Sequence, residues 1–259
     1  MARSPSVEVE VRDGVALLTL QDSARRNALT LEMAGRIGLL LDEVEARAEV
    51  GAVVVTGQGS AFCAGADLDV LAGGDAAEYR QLYEGFLRVA RSPLPTIAAV
   101  NGPATGAGMN LALCCDVRLA SPKARFVARF LDIGLHPGGG HTWMLARAVG
   151  QQRARAMVLC GEELDGRSAA AAGLVLRCVD DERLLEESLR LAAKAASIPR
   201  ELVERTKATM NALTHVTDHH EAVDLEAEAQ AWSATLPHFQ DKVCDLRSRI
   251  SARGGGSQS

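Results

Sequence analysis

Asn101-Gly-Pro-Ala-Thr-Gly-Ala-Gly-Met-Asn110 follows an apolar run, Thr96-Ile-Ala-Ala-Val100, and leads straight into Leu111-Ala-Leu-Cys-Cys-Asp116. The order reads as a buried strand, a turn of small residues and a helix start. A helix start leaves backbone N–H groups unpaired at the positive end of its dipole. Side chains this small let a ligand reach the backbone. A second small-residue segment, Ala61-Phe-Cys-Ala-Gly-Ala-Asp-Leu68, follows a second apolar run, Ala52-Val-Val-Val-Thr56. Either loop alone reads as a tight turn. Two of them at strand ends, each offering an N–H donor, meet the requirement of a two-donor oxyanion hole.

Working outward, Val7-Glu-Val-Glu-Val11 alternates strictly, Asp13-Gly14 turns, and Val15-Ala-Leu-Leu-Thr-Leu20 returns as a hairpin. Thr30 is a cap for a helix to about Ala46. Helical patterns follow at 76–91, 107–114, 141–149, 152–160 and 183–197, with strands at 52–56, 96–100, 117–120 and 174–179. Residues 121–140 read as irregular, and Asp165-Gly166 as a turn. From Pro199 the pattern is helical throughout, over 200–213, 219–235 and 238–252. The expected organisation is an α/β core over 1–198, a helical domain over 199–252 and a flexible tail over 253–259.

The 259 residues are 47% apolar and only 3% aromatic, so a core must be built from Ala, Leu and Val. A net charge of −5 with no basic or aromatic stripe argues against a nucleic-acid partner. No apolar stretch reaches the ~18 residues of a membrane helix, and residues 1–15 are polar and alternating, unlike a secretory leader. None of the six cysteines forms a C-x-x-C pair, so they read as reduced residues of a cytoplasmic protein. Gly106-Ala-Gly108-Met-Asn-Leu111 lacks the third glycine of a dinucleotide fingerprint, and no P-loop is present. His219-His220-Glu221 has no third ligand at a suitable spacing, so no metal is expected.

Several motifs in order resemble those of the enoyl-CoA hydratase/isomerase (crotonase) superfamily: Arg26-Asn-Ala-Leu29, Phe62-Cys-Ala-Gly-Ala-Asp-Leu68, Asn101-Gly through Gly106-Ala-Gly108 to Cys115-Asp116, Gly134-Leu-His-Pro-Gly-Gly-Gly140 and Ala172-Gly-Leu-Val175. The resemblance spans residues 7–250. It implies a spiral of repeated ββα units followed by C-terminal helices, assembly as a homo-oligomer (a trimer or a dimer of trimers), and a coenzyme A thioester as substrate or ligand with no permanently bound cofactor. It also implies that the thioester oxygen is held by the N–H groups of Ala66 and Ala107. Coenzyme A would then lie along Arg25, Ala28, Ala64, Asp67 and Leu68, with Arg25 pairing a phosphate or standing as a solvated loop charge.

The resemblance breaks at the proton-transfer positions. Family hydratases place two glutamates where this chain has Asn110 and Phe130. An amide accepts no proton usefully and a phenyl ring has nothing polar to offer. Remaining acid–base candidates nearby are Asp132 and His136, each of which also reads as a loop residue; His141 reads as part of a helix cap and Tyr83 as core. The expected function is acyl-CoA chemistry through an oxyanion-stabilised enolate, by isomerisation, hydrolysis or a hydration without glutamates. The alternative is an acyl-CoA carrier that has lost proton transfer.

Overall fold

The computed structural model describes residues 6–254. The described residues form two compact units that divide between Ser197 and Ile198. In the first, a six-stranded sheet has the order β1-β2-β3-β4-β6-β9. Its strands are β1 (Ser6–Arg12), β2 (Val15–Gln21), β3 (Ala52–Gly57), β4 (Thr96–Val100), β6 (Val117–Ala120) and β9 (Arg177–Cys178). β1 and β2 form the hairpin, antiparallel from Ser6 opposite Gln21 to Arg12 opposite Val15. All other neighbours in this sheet are parallel.

A second sheet joins β5 (Pro103–Thr105), β7 (Arg125–Val127) and β8 (Leu164–Asp165). Single-residue parallel bridges, Cys63 with Ala104 and Leu29 with Ala66, extend it toward the small-residue loops. The chain thus repeats one step: a strand in the large sheet, a short extended piece in the second sheet, then a helix. β2 leads through Leu29 to α1 (Leu31–Glu45), and β3 through Cys63–Ala66 to α2 (Leu68–Gly73) and α3 (Ala76–Ala90). β4 and β5 lead to α4 (Ala107–Cys114); β6 and β7 lead to α5 (His141–Leu159). This is the repeated ββα pattern expected from the resemblance. β5, β7, β8, α2 and α6 (Gly166–Ala171) were not expected from the sequence, and only Arg177–Cys178 of the expected 174–179 strand pairs with the sheet.

Alternation across a strand explains why the large sheet is apolar on both faces. Val53, Val55, Ala98 and Val100 join the main core with α1, α3 and α4, whereas Ala52, Val54, Ile97 and Ala99 pack with Leu184 and Ala192 of α7 (Asp181–Ala196). With few aromatic side chains available, helices approach closely. A Cβ on Gly85 of α3 would sit 2.7 Å from the Ala34 side chain of α1. Thr30 caps α1 by accepting from the Met33 N–H, as its position suggested. α5 carries Gly150 at φ 77°, a break between the two helical segments read from the sequence.

The second unit consists of α8 (Arg200–Leu213), α9 (His219–Ala234) and α10 (Pro237–Gly254). α10 runs into the stretch expected as a tail, and 255–259 lie outside the described residues. No helix among the described residues is long and apolar enough to cross a membrane.

Candidate active site

The two small-residue loops meet. The first is held from below by Asn27, which is buried at φ 58° and donates through Nδ2 to the Ala61 carbonyl at 2.9 Å and the Gln58 carbonyl at 3.0 Å. Its Oδ1 accepts from the Asp22 N–H at 2.8 Å. Asn101 fixes the other end, donating to the Gly57 carbonyl at 2.8 Å and to that of Gly59 at 2.9 Å. The first loop then bonds to its neighbours on both sides. The Leu29 N–H donates to Gly65 O at 2.7 Å, the Asp67 N–H to Leu29 O at 2.9 Å, and the Thr105 N–H to Cys63 O at 3.0 Å. Gly65 stands at φ 112°, where side chains are strained, and a Cβ there would lie 2.9 Å from Thr105 O and 4.0 Å from Ala107 N. Gly65, the residue before Ala66, therefore abuts the first residue of α4.

In this arrangement the Ala66 and Ala107 N–H groups are left over. Among the described residues neither donates to a protein acceptor, since the bridge at Ala66 uses the Leu29 and Asp67 donors and Ala107 opens a helix. Unpaired donors at a helix start attract an anion or a developing oxyanion. Ala66 is half-buried and Ala107 buried.

One turn into α4, Asn110 is 1% exposed. Its Nδ2 donates to the Gly138 carbonyl at 3.0 Å, so its Oδ1 faces His141 Nδ1 at 2.7 Å. A carbonyl acceptor on one side of the amide fixes its orientation, and the orientation fixes the imidazole: Nδ1 carries the proton and Nε2 is a bare acceptor. His141 is itself 1% exposed, and Nε2 has no partner among the described residues. Burial pushes its pKa down to about 4. The Phe130 ring lies 4.8 Å from the His141 ring, and its Cζ would be 3.7 Å from a Cβ on Gly106. Phe130 thus spans from His141 to the turn before Ala107. On the other side, a Cβ on Gly138 would meet the Tyr83 hydroxyl at 2.1 Å, and one on Gly139 would meet Phe86 at 2.5 Å. The Tyr83 and Phe86 rings are 5.6 Å apart. Only glycines fit between these rings and Asn110.

Asn110 and Phe130, 20 residues apart in the chain, are therefore brought together, whereas the other acid–base candidates are not part of the cluster. Asp132 is exposed and pairs with Arg129 at 3.8 Å. His136 is exposed, and its Nδ1 engages the Pro137 carbonyl at 2.8 Å. His141 reads from the sequence as a cap residue because its hydrogen-bond partner, Asn110, stands 31 residues upstream; a histidine beside Gly140 at a helix start carries no local sign of burial. Among the coenzyme A candidates, Arg25 is not a free cation. Its Nε pairs with Asp22 at 2.7 Å and its Nη1 with Asp67 at 3.0 Å, and these carboxylates raise its pKa. Asp67 also caps α2 through the Asp69 N–H. Ala28 and Ala64 are half-buried, and Leu68 is 76% exposed. No group of three or more His, Cys, Asp or Glu residues that could hold a metal ion occurs among the described residues.

The family model described as enoyl-CoA hydratase/isomerase matches residues 10–243. The chain belongs to that family. A relative from Mycobacterium tuberculosis named "Probable enoyl-CoA hydratase EchA14" is 48% identical over 258 residues, covering 96% of this chain and 100% of that protein. The 1,2-epoxyphenylacetyl-CoA isomerase of Escherichia coli is 35% identical over 255 residues, covering 95% and 97%. The crystal structure of an enoyl-CoA hydratase from Bacillus anthracis superposes with a TM-score of 0.87 at 28% identity, covering 94% of this chain and 96% of that one. The enoyl-CoA hydratase/isomerase fold is accordingly the crotonase fold, and its ββα steps bring the two loops together here.

The buried histidine makes stability depend on pH. Its folded pKa lies below the ordinary value of 6.5, so the unfolded chain binds the proton more tightly. Stability from this group is intact above about pH 6.5 and falls as pH drops toward about 4. The full loss is on the order of 3 kcal/mol. His141→Gln is expected to flatten that part of a Tm-against-pH curve; an unchanged slope would contradict the burial of a neutral imidazole.

Proposed function

We propose that this member of the family binds acyl-CoA thioesters and acts on them, with the thioester oxygen held between the Ala66 and Ala107 N–H groups. The observation that supports this reading is the pair of donors without a protein acceptor among the described residues, on adjoining loops of small residues. Chemistry beside a thioester builds negative charge on the carbonyl oxygen. Fixed donors in a dry pocket stabilise that charge by about 3 kcal/mol each. The α4 dipole adds to the effect at Ala107. Because Arg25 is already paired, coenzyme A would run along Ala28, Ala64 and Leu68, with Arg25 and Asp67 shaping the bend. Acetyl-, crotonyl- and decanoyl-CoA are each expected to raise the melting temperature by mass action. No shift with any of them would sink the reading.

A carrier without catalysis is the second reading, favoured by the amide and phenyl groups at the two carboxylate positions. Turnover of crotonyl-CoA or a longer enoyl-CoA with time separates the two.

The helices beyond residue 198 would mediate assembly. Met210, Val223, Phe239, Leu246 and Ile250 are large apolar residues exposed on that unit. A trimer or dimer of trimers is the expected state. Light scattering that returns the mass of one chain at micromolar concentration would contradict it.

A further inference from the structure

We infer that His141 takes the place of the missing carboxylates: its Nε2, presented by Asn110, is the group that accepts and returns a proton next to the thioester carbonyl. The inference rests on the acyl-CoA reading above and assigns that site its base. Three observations on geometry lead to it. The imidazole is almost wholly buried, yet one ring nitrogen has no partner among the described residues. A buried acceptor left empty is costly, so an occupant is implied. The nitrogen is bare rather than protonated because Asn110 Oδ1 holds the proton on Nδ1, and Asn110 is itself locked by Gly138 O. Finally, Asn110 lies one helical turn from the Ala107 donor, and the Phe130 ring lies against both His141 and the Gly106 turn. The Phe130 backbone is fixed by hydrogen bonds with Ala128, Ile133 and Leu135, but its ring is held by packing only, so an entering acyl group that turns the ring aside would meet Nε2.

Basicity supports the assignment. Burial leaves the imidazole with a pKa of about 4, in the range of the carboxylates it would replace. One base with no second acid–base group beside it suits a proton shift within the substrate more than the addition of water. Nε2 takes a proton from C2 of a 3-enoyl thioester, and the C–H electron pair becomes an enolate whose oxygen rests on the Ala66 and Ala107 donors. The proton then returns from Nε2 to C4, and the double bond ends between C2 and C3. Proton and electrons are conserved within the complex, and no other reactant enters. Asn110 is a positioning residue in this scheme: it fixes the tautomer and touches no reacting atom.

The test is conversion of 3-hexenoyl-CoA to the conjugated 2-enoyl thioester, followed by absorbance, alongside the affinity for butyryl-CoA. Wild-type protein is expected to convert it. His141→Gln is expected to lose about 10²–10⁴-fold in kcat while binding butyryl-CoA as before. Thioester binding without conversion by the wild type, or conversion undiminished in His141→Gln, overturns the assignment of His141 alone. Absence of any thioester binding by the wild type overturns the acyl-CoA reading itself and the inference with it. Should His141→Gln fail to fold, histidine ¹⁵N spectra of the wild type decide. A neutral ring protonated at Nδ1, with an Nε2 resonance that moves on adding butyryl-CoA, supports the inference; an Nε2 resonance that does not move contradicts it.

Discussion

Introducing glutamates at 110 and 130 together is expected to raise crotonyl-CoA hydration by at least about 10²-fold over a very slow wild type. Each general acid or base contributes on the order of 10²–10⁴-fold when positioned, and the wild type has neither carboxylate. The two positions can cooperate because Phe130 and Asn110 both contact His141, Phe130 by its ring and Asn110 by a 2.7 Å hydrogen bond. Each single change should do less, since both groups must act on one water. Asn110→Glu gives up the donor to the half-buried Gly138 carbonyl, which keeps the His141 N–H at 3.3 Å, so the cost is that of one ordinary hydrogen bond, about 1 kcal/mol. It keeps an acceptor for His141 Nδ1. Phe130→Glu buries a carboxylate beside a neutral ring, and its loss of stability should exceed that of Asn110→Glu. Rapid hydration by the unmodified protein would show that another group already activates water.

The second large effect is expected at Gly108. A Cβ there would lie 2.2 Å from the Cys63 carbonyl oxygen, a backbone atom that cannot turn aside. Gly108→Ala must therefore push α4 away from the first loop. A loss of about 1–3 kcal/mol follows from overpacking, toward the upper end because the atom met is fixed backbone. The same displacement separates the Ala66 and Ala107 donors, so turnover should fall by the 10²–10³-fold that one lost oxyanion donor costs. Gly35→Ala is the control, because nothing lies within 4 Å of its added methyl. Equal melting temperatures for the two variants would contradict the close approach of the loops.

The loops themselves were legible because their cues are local: an apolar run, then small residues, then a helix start at Ala107. The hairpin and the Thr30 cap were legible for the same reason. Other features were hidden by distance along the chain. β5, β7 and β8 have three, three and two residues, too short for any alternation to register, and exist through pairing with one another. Arg25 looked available for a phosphate because Asp67, one of its partners, stands 42 residues away. His141 looked like a cap because neither its hydrogen bond to Asn110 nor its cover by Phe130 leaves a trace in its own neighbourhood. The reading of Asn110 and Phe130 as departures rests on the resemblance alone; their shared contact with one histidine needed the fold.

The most direct test is the absorbance spectrum of cinnamoyl-CoA mixed with an excess of the wild-type protein. Two N–H donors on the thioester oxygen polarise the conjugated carbonyl and move its band to longer wavelength. Without a carboxylate pair to activate water, the shifted band should persist. A stable red shift is the expected result. A spectrum identical to free cinnamoyl-CoA would contradict the two-donor site, and a band that is shifted and then quickly lost would contradict the absence of water activation.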